Sequence, residues 1–242
     1  MPDRQFAFRN HLLTRLSPTD LSLLGPLEHV ELPVRQTLEP ADTPIEFVYF
    51  IEEGVASVVA HIAGEREIEV ALIGPEGMTG LALLTADDQS PFETFIQVEG
   101  TGYRLTADRL VRAMASSDEL RVMLIRYARL FHLQVAATSV SNGSSKLEER
   151  LARWLLMVGD RAGSSFHITH AFLATMLAVR RSGVTLSLQV LEGRGLIRSA
   201  RGNVTILDRT GLVEASNGAY GLAEREEARL LPNPDGETAA AS

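Results

Sequence analysis

Apolar and polar residues alternate along the chain in several ways, and each predicts a different kind of element. In residues 11–28 the leucines recur at helical spacing, and Ser17 followed by Pro18 fits a helix start. From residue 30 onward, short apolar runs are separated by Gly, Pro and Asp, a pattern typical of short strands joined by turns. The runs expected as strands are 30–34, 47–51, 56–60, 68–73, 92–98 and 102–105. This half of the chain therefore predicts a β-sandwich or roll.

A long helix is predicted after these strands. Thr106 is expected to cap a short helix over 106–114, and Asp118 to open a longer helix that runs to 142 or 143. Its apolar positions step by three and four, which is the spacing of a seam that packs on a partner helix. We predict a subunit interface along this seam, formed by Leu120, Leu124, Tyr127, Phe131 and Thr138.

The same helix has a second apolar face, so it should touch two surfaces. One possibility is that it contacts its own domain and a second subunit; the other is that it is buried on both sides within a monomer. The residues of the second face are Val122, Met123, Ile125, Leu130, Leu133 and Val135.

A break at residues 143–145 leads to an amphipathic helix over 146–160 and then to two closely spaced helices. Thr169 can cap the first of the pair. The second is expected to start near Arg181 and to end before Gly193, where a left-handed residue would stop it. Their buried positions follow the helical period: Leu173, Ala174 and Leu177 on the first helix, and Val184, Leu188 and Leu191 on the second.

Two strand-like runs, 196–198 and 204–207, follow the second helix and are joined by a turn at 201–203. Helix, tight turn, helix and hairpin together predict a winged helix-turn-helix, whose second helix would enter a DNA major groove. A small helical subdomain with a hairpin and no nucleic acid is the alternative.

Charge favours the nucleic-acid interpretation. Residues 144–209 contain ten Lys and Arg against five Asp and Glu, a net charge of +5. The whole chain has 23 basic and 31 acidic residues, so the remainder has 13 against 26, or −13. An acidic protein with its positive charge concentrated on one recognition unit is suited to meet phosphate there.

Composition excludes several other classes of protein. The 242 residues are enough for two modest domains, and 45% hydrophobic with 22% charged residues is typical of a soluble globular protein. The first ten residues lack the apolar core of a signal peptide, and no apolar run is long enough to span a bilayer, so we expect a cytoplasmic protein without a membrane segment. The absence of cysteine excludes disulfides, cysteine-ligated iron–sulfur clusters and zinc sites of the cysteine type.

Three motifs carry a resemblance to a known family. They read VYFIEEGVAS, VALIGPEGMTGLALL and LAVRRSGVTLSLQVLEGRGLI, the last followed by the hairpin. In this order the chain, over about residues 11–212, resembles the Crp/Fnr family of bacterial transcription regulators. The resemblance implies an α+β protein with a cyclic-nucleotide-binding-like jelly roll, a long dimerisation helix and a C-terminal winged helix-turn-helix. The expected divisions are 1–117, 118–143, 144–222 and 223–242, the last a helix end and a disordered tail.

The roll departs from the nucleotide-binding members of that family. Those members carry a Gly-Glu pair before the LALL-like segment and an Arg for the cyclic phosphate. In this chain, Thr79 and Gly80 occupy the positions of the Gly-Glu pair, and Pro91 falls at about the position of the Arg. Neither Gly80 nor Pro91 has a side chain that could hold the ribose or the phosphate. We therefore expect an effector pocket that is degenerate for cyclic nucleotides, at Met78, Thr79, Gly80, Leu81, Pro91 and Phe92.

On the recognition helix, the family's base-contacting positions fall on Arg181, Ser182 and Leu186. Arg181 can pair with guanine through two hydrogen bonds, whereas Leu186 can only make apolar contacts. Arg180, Arg201 and the Gly202 backbone are expected at phosphates. The predicted DNA-binding residues are Thr169, Arg180, Arg181, Ser182, Thr185, Gln189, Arg201 and Gly202.

The sequence thus favours a non-enzymatic transcription regulator that binds a palindromic operator as a homodimer and needs no cofactor or metal. A contact with RNA polymerase is left open, and the effector is unknown. The main alternative is a ligand-binding module that acts through protein–protein contacts. A metalloenzyme built on a jelly roll would need clustered ligands, but among the predicted strands only that around His61 has a histidine, and His11, His29 and His132 are scattered. Because these histidines are scattered along the chain, haem ligation is disfavoured as well.

Overall fold

The computed structural model describes residues 8–62 and 66–232, apart from the side chain of Arg66. Its first part contains two short helices, α1 (His11–Thr14) and α2 (Pro18–Leu24), and an antiparallel sheet. The strands are β1 (Glu28–Leu32), β2 (Thr37–Glu39), β3 (Phe47–Ile62), β4 (Arg66–Ile73) and β5 (Glu93–Thr106), with a 3-10 turn (Leu81–Thr85) between β4 and β5. The sheet order is β1-β5-β3-β4, and β2 also pairs with β5. This is the predicted roll, with Ser17 capping α2 through a hydrogen bond from the Asp20 amide.

Two pairs of predicted strands are in fact single long strands. The runs 47–51 and 56–60 lie in β3, and the runs 92–98 and 102–105 lie in β5. The residues expected to form a turn around Gly54 form an irregularity in the β3–β5 register. Gly54 has φ +92°, and a Cβ there would lie 2.5 Å from the Val98 carbonyl oxygen. Only glycine fits this bulge, and it bends the strand instead of ending it.

The second part is mostly helical. It contains α3 (Ala107–Ser116), α4 (Asp118–Ser144), α5 (Leu147–Ala162), α6 (His170–Met176), α7 (Arg181–Gly193), α8 (Arg209–Ala215) and α9 (Leu222–Leu230). A small sheet in the order β6-β8-β7 accompanies these helices. Its strands are β6 (Ser165–His167), β7 (Ile197–Ala200) and β8 (Asn203–Ile206), and β6 was not predicted.

The predicted subunit seam of α4 is wrong, because most of it packs inside the chain. Leu120, Leu124 and Tyr127 have exposed fractions of 1%, 0% and 4%, and they join the core of the roll. The Tyr127 hydroxyl donates a hydrogen bond of 2.9 Å to the Met78 carbonyl. Phe131 packs on the sheet, and the Thr138 hydroxyl donates to Gln134 and accepts from Arg153. The three-and-four spacing therefore serves an intramolecular contact.

Gln134 fixes α4 on the edge of the sheet. Its side-chain oxygen accepts from the Leu72 amide at 2.6 Å, and its side-chain nitrogen donates to the Leu72 carbonyl at 3.1 Å. Leu72 lies on β4, the edge strand beyond β3, whose outer backbone groups have no neighbouring strand to pair with. One amide side chain thus satisfies both backbone groups of an edge residue, which buried polar groups require.

The helix-turn-helix has the buried stripes that its period predicts. Leu173, Ala174 and Leu177 on α6 or at its end, and Val184, Leu188 and Leu191 on α7, are all buried in one cluster. The expected stop at Gly193 is wrong, since Gly193 is the last residue of α7. The left-handed residue is Gly195, with φ +74°, two positions later.

The helical second part and the roll share a core. Val55 of β3 and Leu72 of β4 belong to the same buried cluster as the helix-turn-helix residues. Across this boundary the Trp154 ring nitrogen donates to the Glu69 carboxylate at 2.7 Å, and Arg161 forms an ion pair with Glu76 at 2.6 Å. Burial raises the pKa of Glu69 to about 7, against hydrogen bonds from Ser57 and Trp154. The break after α4 therefore joins two parts that are packed together.

The last described segment returns to the first part of the chain. Helix α9 packs along α4, and Leu231 is buried in the core of the roll. His11 contacts Glu227 at 3.0 Å, and the Arg15 side chain donates to the Leu231 carbonyl at 3.2 Å. Residues 222–231 are thus part of the folded body, and α9 is the helix end that the sequence predicts there, although its packing on α4 and the roll is not predicted. The expected disordered tail falls mainly at 233–242, outside the described residues.

Candidate nucleic-acid interface

The outer face of α7 carries the side chains predicted to read bases. Helix α7 begins at Arg181, with Arg180 as its cap residue. Arg180, Arg181, Ser182 and Gln189 are exposed, whereas Thr185 is half-buried. The buried stripe holds the opposite face against α5 and α6, so the helix presents its polar side outward. This exposed side, together with its cap, is referred to below as the α7 face.

Two of the predicted contact residues already have structural roles. The Thr169 hydroxyl accepts a hydrogen bond of 3.2 Å from the Phe172 amide and so caps α6. The Thr185 hydroxyl donates to the Arg181 carbonyl at 3.1 Å and lies 3.0 Å from the His170 ring nitrogen. Both hydroxyls remain at the surface, but their first hydrogen bonds are made within the protein.

The wing turn is tighter than predicted. It consists of Arg201 and Gly202, with φ of +52° and +80°, and Asn203 already pairs within the sheet. Two successive positive φ values suit a two-residue hairpin that follows the twist of the strands. A Cβ on Gly202 would come within 2.7 Å of the His167 ring. Glycine therefore keeps the turn close to β6 and leaves Arg201 exposed at its tip.

Four of the ten basic residues counted in the sequence are used inside the protein. Arg161 and Arg209 form ion pairs with Glu76 and Asp160, while Arg150 and Arg153 donate to Leu177 and Thr138. In contrast, five exposed arginines form no ion pair with any residue that the structure describes: Arg180, Arg181, Arg194, Arg198 and Arg201. Within residues 144–209, the unpaired arginines therefore lie on α7, at its C-terminal end and on the wing.

The effector region of the roll already contains a carboxylate. Glu39 of β2 is buried, and it accepts hydrogen bonds from the Gly80 amide and, at 2.8 Å, from the Thr94 hydroxyl. Burial raises the pKa of this carboxyl, and the hydrogen bonds from Thr94, Gly80 and Thr79 act in the opposite direction. Gly80 has φ +81°, and a Cβ there would lie 2.8 Å from Val48. A side chain such as glutamate is therefore not accommodated at this position without rearrangement.

The other residues of the predicted pocket lie in different environments. Met78 and Thr79 are completely buried, and Thr79 exchanges hydrogen bonds with the Tyr49 backbone. Leu81 begins the 3-10 turn and is half-buried. Pro91 and Phe92 are exposed, so the region does not offer six residues that line one open cavity.

Comparisons with known proteins indicate what this chain is similar to. The model of the Crp-like helix-turn-helix domain matches residues 149–215. The transcriptional regulator LdrP of Thermus thermophilus is 28% identical over 190 residues, which cover 73% of this chain and 90% of LdrP.

The chain carries a Crp-like helix-turn-helix domain and is similar to transcriptional regulators of the Crp/Fnr type.

Solved structures agree with the whole fold. A Crp/Fnr-family protein from Eubacterium rectale matches with a TM-score of 0.68 at 18% identity, covering 86% of this chain and 98% of its own. A CRP-family regulator from Thermus thermophilus matches with a TM-score of 0.66 at 20% identity, covering 80% and 98%. These matches confirm the predicted architecture of roll, long helix and helix-turn-helix.

The described residues contain neither a helix that could span a membrane nor a cluster of metal ligands. Among the described residues, no helix combines the length and apolar character needed to cross a membrane. Within the same residues, no group of three or more His, Asp or Glu could hold a metal ion.

Some features of the site carried no usable signal in the sequence. Glu39 lies in a short strand that was not predicted, so nothing indicated that its carboxylate reaches Gly80. Nor does a basic residue reveal whether it will be exposed or paired. The helical period of α5 places Arg150 and Arg161, but not Arg153, beside its apolar stripe, so it could have signalled only part of this internal use.

Proposed function

We propose that this regulator binds double-stranded DNA at a palindromic operator as a homodimer, with the α7 face in the major groove and the wing on the backbone. The observation that supports this proposal is that, within residues 144–209, five exposed arginines form no ion pair with any described residue and lie on α7, at its end and on the wing of an otherwise acidic chain. Unpaired cations on one recognition unit gain most from phosphate, because contact with the duplex releases its counterions. We place this DNA binding in the cytoplasm.

Each predicted contact residue has a proposed role. Arg181, at the first position of α7, reads a guanine through two hydrogen bonds. Ser182 and Gln189 contact neighbouring base edges, and Arg180 contacts phosphate. Arg201 and the Gly202 amide contact phosphate from the wing. Because the hydroxyls of Thr169 and Thr185 are already engaged, they contribute secondary contacts at the groove edge.

The proposed subunit interface moves to the other face of α4. Val122, Ile125 and Val140 are exposed by 44%, 50% and 68%. They lie on the side away from the roll, along a line of positions that again steps by three and four. Apolar residues on a long helix with one face already buried are suited to pair with the same helix of a second subunit.

We also propose that the roll does not bind cyclic AMP or cyclic GMP at physiological levels. Gly80 offers no carboxylate for a ribose, and its amide already donates to Glu39. An anionic phosphate placed here would meet a buried acidic group, with no arginine at position 91 to compensate. The division into roll, long helix and winged helix-turn-helix is retained, except that residues 222–231 act with the roll.

The first prediction concerns sequence reading by α7. Arg181→Ala should cost about 1–3 kcal/mol of binding free energy and relax the preference at one base per half-site. Arg201→Ala should weaken binding to all sequences and reduce the slope of log affinity against log salt by about 1. Band shifts across a salt series, with operator and unrelated duplexes, measure both effects. Unchanged affinity and preference in Arg181→Ala would refute the assignment of α7.

The second prediction concerns assembly. Ile125→Asp should convert a dimer into a folded monomer, because it places unpaired charge in the proposed interface but not in the core of the chain. Val111→Asp is the matched control, since Val111 is 45% exposed on α3 and lies outside that interface. Sedimentation velocity gives the mass, and circular dichroism verifies the fold. A parent protein that is monomeric at high micromolar concentration, or an Ile125→Asp variant that stays dimeric, contradicts this interface.

The third prediction concerns the effector. Two missing charge-assisted contacts would each contribute about 1.5–3 kcal/mol, so their loss lowers affinity by about a hundred- to ten-thousand-fold. Calorimetric titration with cyclic AMP should therefore show no binding below about millimolar concentration. Glu39→Gln should not restore tight binding, because the missing arginine and glutamate remain absent. A dissociation constant near ten micromolar or below, on the scale of about −7 kcal/mol, would show that the pocket is intact.

A further inference from the structure

Leu186 is the more exposed of two large apolar side chains on the outer side of α7; the other, Val190, is 46% exposed and lies one turn nearer the C-terminal end of the helix. Leu186 is 63% exposed, in contrast to Val184, Leu188 and Leu191 of the same helix, which are buried. Successive helical residues are about 100° apart, so Leu186 points nearly opposite to that buried stripe. Its neighbours on the outer face are Ser182, one turn earlier, and Gln189, one turn later. Leu186 therefore lies near the centre of the surface that is proposed to enter the groove.

The surroundings of Leu186 favour DNA over a protein as its partner. Arg180 and Arg181 flank it at the start of the helix, and both are exposed without an ion pair in the described part of the chain. A protein partner seated on Leu186 would have to cover these two arginines as well. Between the backbones of a duplex, however, the arginines meet phosphates and a guanine edge while the centre of the helix faces bases.

The major groove offers one kind of apolar group to such a side chain. Each base pair presents donors and acceptors there, and only thymine adds a methyl group, on C5. A leucine cannot satisfy a donor or acceptor, so at any other base it would cover a polar edge without replacing the lost hydrogen bond with water. Its favourable partner in the groove is therefore the thymine methyl.

We propose that Leu186 is a specificity-determining residue that selects thymine through apolar contact with the C5 methyl group. This inference rests on the proposed function, because it requires α7 to lie in the major groove. Leu186 is five residues beyond Arg181, about 7.5 Å along the helix axis. Base pairs are stacked about 3.4 Å apart, so the selected thymine lies about two base pairs from the guanine that Arg181 reads.

The experiment isolates the methyl group. Duplexes retained by the full-length protein from a random pool supply the site, and each thymine of both half-sites is then replaced by uracil, which lacks only that methyl. Affinities are measured by fluorescence anisotropy. At one symmetric position the replacement should weaken binding by about fourfold per half-site, the value for one buried methyl-sized group. At the other thymines it should have little effect.

Variants of the protein complete the test. Leu186→Ala should bind the thymine site more weakly than the parent and no longer distinguish thymine from uracil at that position. Val213→Ala is the matched control, because Val213 is a 37% exposed aliphatic residue on α8, outside the α7 face and the wing. It should retain the parent's discrimination. Both truncations are at the surface, so circular dichroism should show the parent's fold.

The outcomes separate this inference from the proposed function. If the selected site depends on Arg181 but contains no thymine near the guanine, or if uracil is tolerated at every position, the role of Leu186 is wrong and DNA binding stands. If Leu186→Ala still distinguishes thymine from uracil, the role of Leu186 is likewise wrong and DNA binding stands. If no duplex is retained, or if retention is unaffected by Arg181→Ala, the proposed function fails and this inference fails with it.

Discussion

The burial of one face of α4 against the roll is the contact on which the rest of the structure depends. Leu120, Leu124 and Tyr127 complete the core of the roll, and Gln134 satisfies the backbone of the edge strand at Leu72. With this face buried, only the opposite side of α4 is free for a second subunit. The same helix ends at Ser144, from which α5 packs Trp154 against Glu69 of the roll. The helical second part is therefore held on the roll by packed side chains.

The use of arginine divides this molecule into an internal framework and an external surface. Arg161 and Arg153 lie between the roll and α5, where they hold the two parts together. The arginines of α7 and the wing have no such partners in the described chain and are left for a polyanion. The net charge of residues 144–209 overstates the charge available to DNA, because it counts the arginines that are paired within the protein together with the exposed ones. The positive charge of the α7 face comes from the arginines that form no ion pair within the described chain.

The sequence predicted those features that depend on neighbouring residues. The stripes of α6 and α7 were correct because a helical period of apolar residues is visible over two turns, and Ser17 and Thr169 cap helices as expected. Gly54 was misread because a glycine that permits a bulge looks the same as one that forms a turn.

Features that depend on distant residues could not be predicted. Residues of both predicted apolar faces of α4 pack on the roll, Leu130 of the second face as well as Leu124 of the first, so the spacing alone does not tell which side is buried. Glu39 reaches Gly80 across 41 residues of sequence, with no motif to signal the contact. The return of α9 to α1 and α4 is likewise a long-range contact, made by Leu231 and by the pair of His11 and Glu227.

We propose that two copies of the α7 face read DNA together, and this proposal is tested by sequencing the duplexes that the full-length protein retains from a random pool. The account predicts enrichment of an inverted repeat whose half-sites lie about one helical turn, or roughly 34 Å, apart. Each half-site should contain a guanine, since Arg181 leads the recognition helix. Recovery of no common sequence, or of a single unrepeated element, would contradict the account.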